Sequence, residues 1–166
     1  SPHGGPNRGK AGLSNATLIT KAVIAINNGR YLDAAKLLHR EISQNKLNHR
    51  NLNAIAYFDL GVVAGKRGMN RLAIENYRRS LVLAPRYEPA LYNLAVSVMN
   101  EGNSAQAIVG FNRVLAVNPL NSRALYNSGL LMYRSGDILP GEARIKRAIV
   151  LDPTLEAIVP MDVNLN

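Results

Sequence analysis

"ALYN" stands at Ala90–Asn93 and returns at Ala124–Asn127, 34 residues later. Outward from the two copies, other columns keep the same interval. Gly68, Gly102 and Gly136 form one, and Pro85, Pro119 and Pro153 another. Arg79, Arg113 and Arg147 form a third, followed by the small residues Ala73, Ala107 and Gly141 and the large apolar Tyr77, Phe111 and Ile145. Five columns of different chemistry in one register mark an internal repeat. Each repeat is a unit that cannot bury its apolar face alone and must stack on its neighbours.

Within one unit the apolar period is helical. Leu91, Leu94, Ala95 and Val98 fall at i, i+3, i+4 and i+7, the stripe of an amphipathic helix. "EGN" (Glu101–Asn103) breaks that helix, and Asn103 with Gln106 three residues on resembles a capping box opening a second one. Ala107, Phe111, Val114 and Leu115 continue the second stripe. "NP" (Asn118–Pro119) closes it, because a proline disfavours helix in the residue before it. Each unit thus reads helix, turn, helix, turn.

The chain resembles the tetratricopeptide repeat (TPR) family. Tyr57, Leu60, Gly61, Ala73, Tyr77 and Pro85 carry the family signature in the first full unit. The later units are looser, with Ala95 in place of Gly61 and Ser128 in place of a Leu. Full units are expected at 54–87, 88–121 and 122–155. A degenerate hairpin with an insertion ("QNKLNHRN", Gln44–Asn51) is expected over 15–53, and the Gly- and Pro-rich 1–14 reads as a flexible leader or linker. Residues 156–166 read as a tail or partial cap. The resemblance implies an all-α fold, a right-handed superhelix of antiparallel hairpins with three full repeats and one degenerate N-terminal repeat. Pentatricopeptide repeats, which read RNA, have nearly this period, but the Gly turns and the Pro column favour TPR.

Composition sets outer limits. A hydrophobic content of 47% over 166 residues supports a buried core. The absence of Cys excludes disulfides and thiolate metal sites. No apolar run reaches the length of a membrane-spanning helix. The net charge of +9 favours anionic partners. Neither cytoplasm nor cell envelope is selected; the basic leader and the missing initial Met are compatible with a domain anchored upstream.

The first helix of each unit carries a second apolar row beside its core stripe. The row is Phe58 and Val62, then Tyr92 and Val96, then Tyr126 and Leu130, and beside it runs Asp59, Asn93 and Asn127. A helix apolar on two faces must bury both or present one to a partner. In TPR proteins these positions face the groove, so the resemblance implies a peptide site formed by these residues with Arg123. There an Asn amide would pair with a peptide backbone. The competing reading is packing between repeats. The Lys- and Asn-rich carboxylate clamp of some relatives is largely missing, with only Asn93 and the cation Arg123 retained.

Arg78, Arg79, Arg113, Arg144 and Arg147 fall on second helices and could form a basic surface. Nucleic-acid binding there would call for stacking aromatics beside the cations, and few are present. Catalysis, metal and cofactors find no support. His3, His39 and His49 are not paired at ligand spacing, and "GGPNRGK" (Gly4–Lys10) lacks the strand and Ser/Thr of a phosphate loop. The expectation is a non-catalytic scaffold or adaptor whose groove takes a peptide segment, acidic in character, of a partner protein. A self-assembling module is the alternative, and a basic nucleic-acid binder ranks third. Direct membrane contact is disfavoured. For Ile145, Ala148 and Ile149, on the last helix, three fates are open: cover by the tail, a missing repeat, or an end-to-end copy.

Overall fold

The computed structural model describes residues 8–44 and 50–166, and side chains from 17 onward within them. The expected insertion therefore lies largely outside the described residues. Among the described residues eight α-helices follow one another: α1 Arg8–Asn27, α2 Tyr31–Gln44, α3 Arg50–Lys66, α4 Asn70–Leu83, α5 Glu88–Asn100, α6 Ser104–Val117, α7 Ser122–Arg134 and α8 Ile138–Leu151. A 3-10 turn, Pro153–Ile158, closes the series. The described residues contain no strand, and no described helix is long and apolar enough to cross a membrane. The chain forms two compact units, Ser1–Pro85 with α1 to α4 and Arg86–Asn166 with α5 to the 3-10 turn.

The repeated glycines have one local task. Gly29, Gly68, Gly102 and Gly136 all take positive φ, between 71° and 94°. At each, the following N–H reaches the carbonyl five residues back: Arg30 to Ala25, Met69 to Ala64, Asn103 to Val98 and Asp137 to Met132, at 2.8–3.3 Å. This is the glycine-terminated helix end that satisfies orphan carbonyls. The prolines act at the other turn. Ala84, Asn118 and Asp152 hold φ of −137° to −139°, extended as the residue before proline must be. Asn103 does cap α6, its Oδ1 accepting from Gln106 N–H at 3.2 Å.

Two boundaries depart from expectation. The helix α1 begins at Arg8, so residues 8–14 of the expected leader are helical. Gly9 and Gly12 each weaken that turn by about 1 kcal/mol relative to Ala, which does not stop a helix. The last proline before it, Pro6, is already behind. The helix α3 begins at Arg50, ahead of the expected 54. Arg50 donates from Nε to Leu83 O (2.8 Å) and from Nη2 to Val82 O (3.1 Å), binding the start of α3 to the end of α4.

Each unit has its own core. In the first, Ala22, Ala25, Ala34, Leu38, Ala56, Leu60 and Val63 are buried together. Gly61 lies where Tyr77 crosses: a Cβ there would stand 2.4 Å from the ring. In the second, Leu125, Tyr126, Ile145, Ala148, Leu155 and Val163 form the core at the end of the chain. There α7 and α8 approach backbone to backbone, and a Cβ on Gly141 would meet Tyr133 N at 2.5 Å and Gly129 O at 2.6 Å. The small-residue column is thus a close-approach column. Leu155 and Val163 show that the tail itself covers the last repeat.

Candidate functional site

The second unit carries an open pocket of about 360 Å³ lined by Glu88, Pro89, Tyr92, Asn93, Asn121 and Arg123. Its frame is polar and tightly bonded. Asn121 precedes α7 and its Oδ1 accepts from Ala124 N–H at 2.9 Å, as an N-cap does. The same side chain donates from Nδ2 to Glu88 Oε1 at 2.8 Å. Asn118, which ends α6, donates to that oxygen at 2.9 Å. One carboxylate oxygen therefore ties the α6–α7 turn to the start of α5. Charge-assisted bonds of this kind are about twice as strong as neutral ones. The pocket floor is consequently preorganised.

Tyr92 forms one wall. Its ring leans on Phe111 at 5.9 Å between centroids, and its hydroxyl accepts from Asn127 Nδ2 at 3.1 Å. Burial raises the phenol pKa, with the nearby charge of Arg123 and the Asn127 bond acting the other way. One N–H of the Asn127 amide thus positions Tyr92. Arg123 is exposed and makes no ion pair among the described residues. It is the one expected groove cation, and it stands at the pocket rim.

The remaining expected groove residues divide. Asn93 and Val96 are half-buried on α5. In the first unit, Phe58 and Val62 are half-buried on α3, and the Phe58 ring sits 5.8 Å from that of Tyr77. Asp59 is buried at 8% exposure, its Oδ2 has no hydrogen-bond partner among the described residues, and burial pushes its carboxyl up to about 6. An acid so enclosed does not present a charge at the surface.

Tyr126 is covered and Leu130 half-buried. Tyr126 is 6% exposed, burial raises its pKa, and its hydroxyl donates to Ile158 O at 2.8 Å. Leu130 packs on the same terminal core. Tyr126 is thus joined to the end of the 3-10 turn rather than open to a groove. Glu88, Asn121, Tyr133 and Arg134 entered no sequence-based site. Asn121, with Asn118 at the same turn, is visible in the sequence; nothing local points to Glu88, Tyr133 or Arg134.

Among the basic residues, Arg78, Arg113 and Arg147 are exposed. Arg79 pairs with Glu75 at 2.7 Å and lies 5.9 Å over the Tyr57 ring. Arg144 is not part of an open basic face. Its Nη1 donates to Asn112 Oδ1 and to Ser128 Oγ, both at 2.8 Å, and burial lowers its pKa. His39 is exposed on α2, while His3 and His49 lie outside the described residues. Among the described residues no three His, Asp or Glu side chains gather as a metal site would require.

The family model of the tetratricopeptide repeat matches residues 92–154. No curated protein matches the chain. Solved structures do. A crystal structure of MamA is 21% identical, covers 87% of this chain and 81% of its own, and superposes with a TM-score of 0.73. YrrB, described as a TPR protein with an unusual peptide-binding site, is 19% identical over 87% of this chain and 74% of its own, TM-score 0.69. TTC0263, a TPR protein of Thermus thermophilus, is 24% identical over 86% and 76%, TM-score 0.65. At these identities the likeness is one of fold.

Proposed function

Taking this chain as a tetratricopeptide-repeat protein, whose fold is that of a protein-interaction scaffold, we propose that the second unit binds a peptide segment bearing an acidic side chain. The observation that carries this reading is the pocket between α5 and α7. It joins a rigid aromatic wall, Tyr92, to an exposed rim cation, Arg123, on a floor locked by Glu88 and Asn121. A preorganised concave site with a few fixed polar groups is the usual form of a small binding site. Arg at its rim recognises a carboxylate by two parallel N–H donors. The net charge of +9 would draw such a segment in. YrrB, of the same fold, is described as having a peptide-binding site.

The chemistry is recognition without bond making. Tyr92 contributes ring area to a side chain, Asn93 and Val96 extend the surface along α5, and Arg123 holds the acid. Selection of binders from a random peptide library on the intact chain tests this. Acidic peptides are expected, with Arg123→Glu reducing their affinity at least tenfold and Tyr92→Ala reducing it with helix content retained. Binders indifferent to both substitutions would refute the assignment.

A further inference from the structure

The segment after the 3-10 turn lies on the face of α7 as a bound peptide would. Four bonds hold it. Tyr126 Oη donates to Ile158 O at 2.8 Å, and Asn164 N–H donates to Tyr133 Oη at 3.2 Å. Arg134 meets Asp162 at 3.4 Å, and Lys146 Nζ donates to Asn166 O at 2.8 Å. Tyr133 Oη thus meets a backbone amide of the segment, and Tyr126 Oη the carbonyl at its junction with the 3-10 turn. Between them a single side chain, Val163, is buried, at 8% exposure, and Val159 and Leu165 pack at its edges. Backbone pairing plus one apolar anchor and one acid beside a cation is how an extended peptide is recognised.

The segment is separable from the cap proper. Leu155, inside the 3-10 turn Pro153–Ile158, is 6% exposed and belongs to the terminal core. Beyond it the hold is sparse. Met161 is fully exposed, Ile158 is 59% exposed, and Asp162 and Asn164 face solvent. The Arg134–Asp162 pair is also open to water, where an ion pair adds little. A stretch with few buried contacts and exposed hydrogen bonds opens well below the free energy of global unfolding.

We infer that residues 159–166 are a displaceable self-ligand of the α7 face, which, once released, takes an extended segment with an acidic residue immediately before a β-branched one. Arg134 reads the acid, and the terminal core that now encloses Val163 takes the β-branched side chain. The hydroxyl of Tyr133 reads the backbone independently of sequence. The self-ligand thereby shortens the peptide surface of the second unit to the pocket at Tyr92 and Arg123. The inference stands on the segment's own contacts and uses the preceding reading only in supposing that the face serves peptides.

The test is a fluorescent peptide spanning residues 158–166, added to the full chain and to the full chain with Val163→Asp. Binding at least tenfold tighter to the variant is expected. An Asp162→Ala peptide should lose at least threefold, as should Arg134→Ala in the protein. Hydrogen exchange on the unsubstituted chain should show the amides of Val163 and Asn164 at least a hundredfold faster than those of residues 129–131. Equal exchange in the two regions would overturn the inference, as would absence of peptide binding to a variant whose helix content is intact. If Val163→Asp unfolds, a chain ending at Ile158 replaces it. If that also unfolds, the segment is a structural cap and the inference fails. Arg123→Glu leaves every one of these contacts in place, so failure of the pocket and failure of the self-ligand are told apart.

Discussion

Asp59→Asn should stabilise the protein at neutral pH and leave it nearly unchanged in acid. Asp59 sits mid-way along α3 at 8% exposure, with Oδ2 lacking a partner among the described residues. The positions that repeat it are Asn93 and Asn127. Burial raises its carboxyl from 3.8 to about 6. The sign follows from which state holds the proton. Below about pH 3.8 both folded and unfolded chains hold it, and folding carries no charge penalty. Between about 3.8 and 6 the unfolded chain releases the proton while the folded one keeps it, so stability falls as pH rises. Above about 6 the folded carboxyl ionises too, and the loss is complete. At about 1.4 kcal/mol for each pKa unit the loss is about 3 kcal/mol. An amide carries no charge to desolvate but still buries a polar group, so the expected net gain at pH 7.5 is about 1–3 kcal/mol. Urea titrations of both chains at pH 4 and pH 7.5, followed by circular dichroism, measure it. The comparison is between the two chains at each pH, which removes the effect of all other titrating groups. A variant no more stable than the parent at pH 7.5, or an advantage that does not shrink at pH 4, would refute the argument. Either result would mean that the carboxylate has a partner or reaches water.

Other perturbations separate local from tertiary causes. Gly141→Val should cost about 3 kcal/mol or more by overpacking, since its Cβ would fall 2.5 Å from Tyr133 N, and a urea midpoint reads this. Gly102→Ala meets no atom within 4 Å, so its cost is the left-handed backbone alone, about 1–2 kcal/mol by the same assay. Arg144→Met should destabilise by about 1–3 kcal/mol because Ser128 Oγ and Asn112 lose a charged donor, whereas Arg147→Met should change stability by less than about 0.5 kcal/mol. Equal effects at the two positions would contradict the bonding of Arg144 of α8 to Asn112 of α6 and Ser128 of α7.

The hairpin architecture was legible because its signals are local. A glycine at positive φ and a residue held extended by the proline after it impose their geometry whatever surrounds them. Gly68, Gly102 and Gly136, with Pro85, Pro119 and Pro153, therefore announced every turn of the full repeats. Gly29 marked the earlier hairpin by the same means. The small-residue column was equally readable, since close approach of two helices leaves no room for a side chain at Gly141. The candidate site was legible in part. The row of Tyr92, Asn93 and Arg123 does meet a pocket, but its floor is built by Glu88 and Asn121, whose bond joins residues far apart in the chain.

What the repeat register could not convey is how identical positions diverge. Phe58, Tyr92 and Tyr126 share one column, yet one leans on Tyr77, one lines a pocket, and one is sealed by Ile158. Asp59 and Asn127 share another, yet one is an enclosed acid and the other a brace for Tyr92. Arg144 reads as a surface cation beside Arg147 and is instead drawn in by Ser128 and Asn112. Each outcome depends on which atoms of distant segments arrive opposite the side chain. Backbone turns follow from torsional preferences within a few residues, and the sequence alone determines them. Burial, hydrogen-bond partners and the covering of α7 by residues 158–166 arise from long-range packing, so only the tertiary structure decided them.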